Sequence, residues 1–195
     1  MSPRTVDRAA RRAGLVAAAK RTFTERGVAA TSVADIVRAA GVAQGTFYLY
    51  FETKDDVILA VVEDVAEQLL AAISADLSRP DLSPAGQLGA FSRILTSLSQ
   101  DSSLADVADF IHRPENQRLH DRFAEHFLPG LVPLIERTIA DGVADGTFDV
   151  PDAHAAAWFI LGGLRSIELA GTPMEDMPAA LDAASRLALR ALGAR

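Results

Sequence analysis

Apolar positions recur along this chain with the three- and four-residue spacing of amphipathic helices. The spacing persists longest between Lys54 and about Leu77, and Thr53 with Asp56 has the separation of a capping box at the start of that helix. No segment alternates apolar and polar residues as a half-buried strand does. The pattern therefore predicts an all-α protein.

Caps and helix breakers divide the chain into a series of predicted helices. In chain order we place them at about Asp7–Arg26, from Ser32 to Gly41, around residues 43–51, and at about Lys54–Leu77, Ala85–Gln100, Leu104–His112, Asp152–Ala170 and Met174–Leu192. Between the sixth and seventh helices, Pro114, Pro129 and Pro133 are expected to cut the chain into short helical pieces.

Two short predicted helices joined by the tripeptide Ala-Gly-Val have the arrangement of a helix-turn-helix, and the motif covers about residues 32–51. Ser32 and Asp35 have capping-box spacing at the start of the first helix. The second helix of such a motif lies in the major groove of DNA, with its N-terminal residues facing base edges. Gln44 can pair with adenine there, and the methyl group of Thr46 can contact a thymine methyl.

The segment from Phe47 to Phe51 is unusually aromatic. Gly45 would let the backbone come close to DNA, whereas Phe47 and Phe51 are expected in the core. Aromatic pairs on a short helix are usually core residues, so DNA binding is favoured by the combination with a capped helix, a glycine turn and a nearby lysine. Three side chains here are suited to phosphate oxygens: Tyr48, Tyr50 and Lys54.

Charge is distributed unevenly along the 195 residues, whose net charge is −7. Residues 1–54 hold nine basic and four acidic side chains, while residues 55–195 hold ten basic and 22 acidic ones. A basic N-terminal part followed by an acidic remainder is expected when only one end of a protein meets phosphate. Cysteine is absent, and neither a signal peptide nor a membrane span is evident, so we expect a soluble cytoplasmic protein without membrane contacts.

The stretch TSVADIVRAAGVAQGTFYLYFETKDDVILAV, residues 31–61, resembles the DNA-binding signature of the TetR family of bacterial transcriptional regulators. The resemblance extends over about Asp7–Glu63 and implies a helix-turn-helix domain at 1–53 and an all-helical ligand-binding and dimerisation domain at 54–195. Tyr50 stands where many members have His, a difference that would alter base preference. The resemblance implies DNA contacts from Thr31 or Ser32 and from Gln44, Gly45, Thr46, Tyr48, Tyr50 and Lys54.

For the domain at 54–195, the resemblance implies two functions. It would form a homodimer that binds a palindromic operator in double-stranded DNA, and it would bind a small, mostly apolar effector. The last two helices would form the dimer face, through Leu161, Gly162, Gly163, Leu181, Ala184, Leu187 and Ala188. The candidate pocket residues, each of which is also suited to an ordinary core, are Phe91, Leu95, Phe110, His112, Phe123, Phe127, Trp158 and Phe159.

Catalytic chemistry is not indicated. The four histidines lack metal-ligand spacing, and no catalytic triad, phosphate loop or dinucleotide motif is present, so we expect no enzyme activity, metal or cofactor. The leading interpretation is a repressor released from DNA by its effector. The alternatives are a small-molecule binding protein without useful DNA affinity, a helical enzyme, and a helical scaffold for a protein partner.

Overall fold

The computed structural model describes residues 3–98, 110–111, 113, 116–170, 172–173 and 175–194. Its regular structure within these ranges is helical, which confirms the all-α prediction. In chain order the helices are α1 (Pro3–Arg26), α2 (Val33–Ala40), α3 (Gln44–Phe47), α4 (Lys54–Leu77), α5 (Pro84–Leu98), α6 (Gln117–Ala144), α7 (Ala153–Leu169) and α8 (Met177–Ala191).

The helices form two compact units that do not follow simple chain order. The first unit takes in residues 1–67 and 102–125, and the second takes in 68–101 and 126–195. Helices α4 and α6 each supply residues to both units. The functional boundary between residues 53 and 54 stays a prediction, because it concerns which residues bind DNA and which bind an effector.

The first unit is built around one apolar core. Helix α1 packs against α2, and α2 packs against α3. The first half of α4 closes the core with buried side chains that include Val57, Val61 and Val62. An ion pair 3.3 Å long joins Lys20 of α1 to Asp64 of α4, so polar contacts at the edge of the core add to the apolar ones.

The second unit packs α8 against both α5 and α7. Helix α6 contributes a buried stripe at helical spacing, with Leu131, Ile135 and Ile139 each at most 2% exposed. Near the end of α6, Gly142 lies under the buried ring of Phe148. Among the described residues, no helix is long and apolar enough to cross a membrane.

The prediction that prolines would break this region was wrong for two of them, because α6 is one helix of 28 residues that contains Pro129 and Pro133. Both prolines are exposed and lie four residues apart, on the face opposite the buried stripe. A proline frees the carbonyl four residues earlier, and on an exposed face water can satisfy that group. The third proline, Pro114, and most of the short helix predicted at 104–112 fall outside the described residues.

Gly142 generates a stability prediction. A methyl group at this position would overlap the Phe148 ring and lie 3.0 Å from Cβ of Pro84. We therefore expect Gly142→Ala to lower the free energy of unfolding by about 1–3 kcal/mol in chemical denaturation. A methyl group at Gly14 in α1 would meet no atom within 4 Å, so Gly14→Ala should raise the free energy of unfolding by about 0.5–1 kcal/mol. Equal effects of the two substitutions would contradict this packing.

Candidate nucleic-acid interface

Helix α2 begins with the capping box predicted from the sequence. The Asp35 amide donates to Ser32 Oγ at 3.2 Å, and the Ser32 amide donates to Asp35 Oδ2 at 3.0 Å. Hydrogen bonds from the Ser32 hydroxyl and amide lower the pKa of Asp35 to about 2, with smaller contributions from Arg38 and Arg26. The carboxylate therefore stays charged and holds the first turn of α2 at neutral pH.

Gly41 makes the turn between α2 and α3. Its φ of 68° is left-handed, its amide bonds back to the Arg38 carbonyl, and the Val42 amide bonds to the Val37 carbonyl at 3.1 Å. This is the glycine-dependent helix ending in which a side chain at the left-handed position is disfavoured. The turn sets the direction in which the next helix starts.

Helix α3 is only four residues long, and it is held by burial more than by its own hydrogen bonds. Phe47 is fully buried and Phe51 is 4% exposed, with their ring centroids 5.5 Å apart. The Phe51 amide donates to the Phe47 carbonyl at 3.0 Å, so the helical path continues beyond α3. The expectation that both phenylalanines belong to the core is confirmed.

The opposite side of this segment faces solvent, and its residues 44–46, 48 and 49 are here named the recognition surface. Tyr48 is 53% exposed with its ring edge-on to Phe47, and Leu49 is 69% exposed. Gln44 and Gly45 are exposed, and Thr46 is half-buried. The structure thus brings together the residues predicted to read bases. Leu49 was missed by sequence reasoning, because nothing in its spacing separates an exposed leucine from a buried one.

Tyr50, the other predicted phosphate ligand on this segment, is half-buried and packs against the core of the first unit. Lys54 is also half-buried, at the start of α4. Its ammonium donates to the carbonyl oxygens of Val28 at 2.6 Å and Ala29 at 3.5 Å. Lys54 therefore ties α4 to the turn between α1 and α2, a positioning role that sequence reasoning did not include.

Thr31 and Ser32 were alternatives for one phosphate contact, and their surroundings differ. Thr31 is 2% exposed, and its hydroxyl donates to the Gly27 carbonyl at 2.8 Å. Its side chain faces the protein interior, so the structure does not favour Thr31 as a phosphate contact. Ser32 is exposed at the start of α2 and stays the prediction at this position.

The second unit contains an apolar groove of about 830 Å³ between α5, α7 and α8. Among the described residues that line it, the polar side chains are Ser92, Ser166 and Ser185, and none is charged. Two sets of predicted residues meet in this apolar groove. From the predicted pocket come Phe91, Leu95, Trp158 and Phe159, and from the predicted dimer face come Gly162, Gly163, Ala184, Leu187 and Ala188.

The remaining predicted residues lie elsewhere. Phe110 and Phe123 pack against the core of the first unit, so they do not line this groove. Phe127, Leu161 and Leu181 are buried in the second unit, between 5% and 7% exposed. His112 lies outside the described residues.

At the groove, the only tryptophan of the chain is hydrogen-bonded to a histidine. Trp158 Nε1 donates to His154 Nε2 at 3.1 Å, and His154 Nδ1 lies 2.8 Å from Glu136 Oε2. An indole can only donate, so Nε2 must accept and the proton of the neutral imidazole must lie on Nδ1. The hydrogen bond to Glu136 and the charge of Glu136 raise the pKa of His154, and Asp152 adds to the effect.

A short capped helix, a left-handed glycine turn and an exposed polar face on the next helix define a helix-turn-helix DNA-binding protein. Residues 15–61 match the model of a family described as bacterial regulatory proteins, tetR family. The chain is also 26% identical over 132 residues to the fatty acid metabolism regulator protein of Bacillus subtilis, with 68% of each protein covered.

Solved structures extend the similarity over nearly the whole chain. The transcriptional regulator FadR of Bacillus subtilis, in complex with stearoyl-CoA, superimposes with a TM-score of 0.64 at 25% identity, covering 92% of this chain and 96% of that one. RolR in complex with resorcinol gives a TM-score of 0.66 at 26% identity, covering 98% and 91%. Residues 15–61 thus match the DNA-binding model of the tetR family, the chain is similar to regulators of that family over nearly its whole length, and it is a DNA-binding regulator.

The contact between His154 and Trp158 predicts a pH-dependent fluorescence signal. Protonation of Nε2 removes the acceptor of the indole N–H, so Trp158 emission should change with a midpoint above about pH 6.5, the ordinary histidine value. Because the pKa is raised in the folded state, the ion pair with Glu136 stabilises the fold at low pH and is lost as pH rises through that pKa. Fluorescence titration checks this.

The controls are three substitutions. His154→Gln should abolish the transition, and Glu136→Gln should move its midpoint to lower pH. His126→Gln, at an exposed histidine elsewhere on α6, should leave it unchanged. Emission that stays constant between about pH 5 and 8 would contradict the assigned hydrogen bonds.

Proposed function

We propose that this protein is a homodimeric repressor that binds a palindromic operator and is released by a small, mostly apolar effector. The observation that carries the proposal is the recognition surface, whose exposed residues Gln44 and Tyr48 stand on a helix anchored by buried Phe47. A surface of this form has a direct use in the major groove of DNA.

Each exposed residue has a distinct role in this proposal. Gln44 reads a base edge, because its amide can donate to and accept from adenine, and Leu49 offers an apolar contact for a thymine methyl. The Tyr48 hydroxyl and Ser32 contact phosphates and orient the domain without reading sequence. Lys54 acts by positioning α4 through its bond to the Val28 carbonyl, and its amide contacts phosphate at the start of the helix.

The proposed dimer face is supported by exposed apolar side chains on α7 and α8. Trp158 is 47%, Phe159 72% and Leu187 63% exposed, which is unusual for such large apolar groups on one surface. A methyl group added at Gly162 or Gly163 would meet no atom within 4 Å, so a second backbone can come close to these glycines. A twofold dimer would carry two recognition surfaces and match half-sites about 34–36 Å apart, or a multiple of that distance.

We place the effector in the α5 side of the apolar groove, at Phe91 and Leu95. The whole groove has a volume of about 830 Å³, so a small molecule needs only part of it, and the absence of charged side chains among its described lining residues favours an uncharged ligand. FadR and RolR have been solved with stearoyl-CoA and resorcinol, so effectors of similar proteins differ widely in size. On that side of the groove, the Ser92 hydroxyl would orient a polar group on the ligand.

Release from DNA requires that the effector bind one conformation of the dimer better than the other. Helix α4 is the proposed connection, because it is continuous from Lys54 to Leu77 and supplies residues to both compact units. A shift of α4 would change the position of the turn that Lys54 holds at Val28. The distance between the two recognition surfaces would then no longer match the operator.

The roles of Gln44 and Tyr48 make opposite predictions for sequence preference. On a duplex selected from a random library, Gln44→Ala should reduce discrimination against a substituted base by about 1–3 kcal/mol, or roughly 5- to 150-fold. Tyr48→Phe keeps the ring on Phe47 and removes one phosphate bond, so it should weaken binding to every duplex by about fivefold. Fluorescence anisotropy measures both.

Gln117→Ala is the matched control, because this glutamine is exposed and lies outside the motif. It should change neither affinity nor preference. The assignment of Gln44 is wrong if Gln44→Ala weakens binding to all sequences equally, and the assignment of Tyr48 is wrong if Tyr48→Phe alters base preference.

The dimer face predicts the effect of a buried charge. Gly163→Glu would place an unpaired carboxylate between the two copies, at a cost of about 3 kcal/mol or more, so the dimer should dissociate roughly 100-fold more readily. Sedimentation equilibrium measures this shift. Ala140→Glu on the exposed side of α6 adds the same charge and should leave the dimer intact. Identical behaviour of the two variants would contradict the proposed face.

A further inference from the structure

Helix α1 begins well before the core that it packs against. The helix starts at Pro3, but its first buried residue among those with described side chains is Leu15. Every residue from Arg8 to Gly14 is exposed, on all sides of the helix. About two turns of α1 therefore stand in solvent at 3.6 residues per turn. We name residues 8–14 the basic arm.

The composition of this part of α1 suits a solvated helix that meets an anion. Residues 3–14 contain four arginines against Asp7 alone, and three of the remaining seven residues are alanine. Alanine and arginine are strong helix formers, which compensates for the missing packing. Helix propensity alone does not select positive charge, because glutamate and glutamine are comparable helix formers. The excess of positive charge is therefore suited to an anionic partner.

The position of Arg12 relates the basic arm to the recognition surface. The Arg12 guanidinium lies over the ring of Phe51, 5.2 Å from its centroid. Phe51 in turn packs on Phe47, the residue that anchors α3. Arg8 lies one turn earlier on the same side of α1, about 6 Å further along the helix axis. The two arginines thus lie in a row along α1 that starts at Phe51, the end of the segment that carries Tyr48.

We propose that Arg8 and Arg12 of the basic arm bind phosphates of the duplex beside the half-site that α3 reads. This inference rests on the proposed DNA-binding function and adds a contact that no part of the helix-turn-helix motif supplies. Arginine presents a fork of donors that matches phosphate oxygens, and contacts of this kind raise affinity for any sequence. The basic arm therefore lengthens the stretch of DNA that each protomer covers without adding base preference.

Salt dependence is the direct test, because each phosphate contact contributes about 0.9 to the slope of log K against log salt concentration. The probe is a 30-base-pair duplex of random sequence, measured with the full chain by fluorescence anisotropy, in parallel with a duplex selected from a random library. The variant Arg8→Ala/Arg12→Ala should bind both duplexes about tenfold more weakly and with a slope smaller by about 0.9 for each lost contact. Its base preference should equal that of the unsubstituted protein.

Two further variants separate the phosphate contacts from an effect on folding. Arg12→Ala also removes the contact with Phe51, so Arg8→Ala, at an exposed residue, is measured alone and should lower the slope by itself. Arg8→Lys/Arg12→Lys keeps the charges and should keep most of the slope. Arg137→Ala removes an exposed arginine from α6 and should leave the slope unchanged.

Shortening the selected duplex locates the contact. With the base pairs outside the half-sites removed, the unsubstituted protein and Arg8→Ala/Arg12→Ala should bind equally. The proposal is overturned if the salt slopes of Arg8→Ala and of the double variant equal that of the unsubstituted protein. If Tyr48→Phe still weakens binding in that case, the DNA-binding function stands. Salt-independent binding of the unsubstituted protein to every duplex would overturn both.

Discussion

Burial of Phe47 is the interaction on which the recognition surface depends. A helix of four residues cannot hold itself in water, because its few hydrogen bonds do not offset the entropy of ordering the chain. Phe47 is fully buried and Phe51 nearly so, which fixes the rotation of the segment about its axis. That rotation turns Gln44 and Tyr48 outward. Replacing the anchor would change the direction of every side chain on the recognition surface.

Contacts around α3 hold this anchor in place; two are local in sequence, and one joins residues that are distant in sequence. The capping box of Ser32 and Asp35 starts α2, and Gly41 ends it with a left-handed turn that a side chain would strain. Lys54 joins the start of α4 to the Val28 carbonyl. Because α4 supplies residues to both compact units, the proposed release from DNA would act through α4 on the contact at Lys54.

Features that depend on local pattern could be predicted from the sequence, and those that depend on tertiary context could not. Caps, the glycine turn and the burial of Phe47 follow from residue type and spacing. The continuity of α6 through Pro129 and Pro133 depends on which face is exposed, which spacing alone does not reveal. Spacing likewise does not show which core an aromatic residue joins. Phe110 and Phe123 were therefore predicted to line the pocket, whereas they pack against the core of the first unit.

The most direct test of the central claim is selection of DNA sites from a random-sequence duplex library, followed by anisotropy on the selected and unselected duplexes at two salt concentrations. If the exposed face of α3 reads sequence, a palindrome should be enriched and bound about 1,000-fold or more tighter than unselected DNA, with affinity falling steeply as salt rises. Failure to enrich any sequence, with equal and weak binding to all duplexes, would contradict a DNA-reading role for the recognition surface.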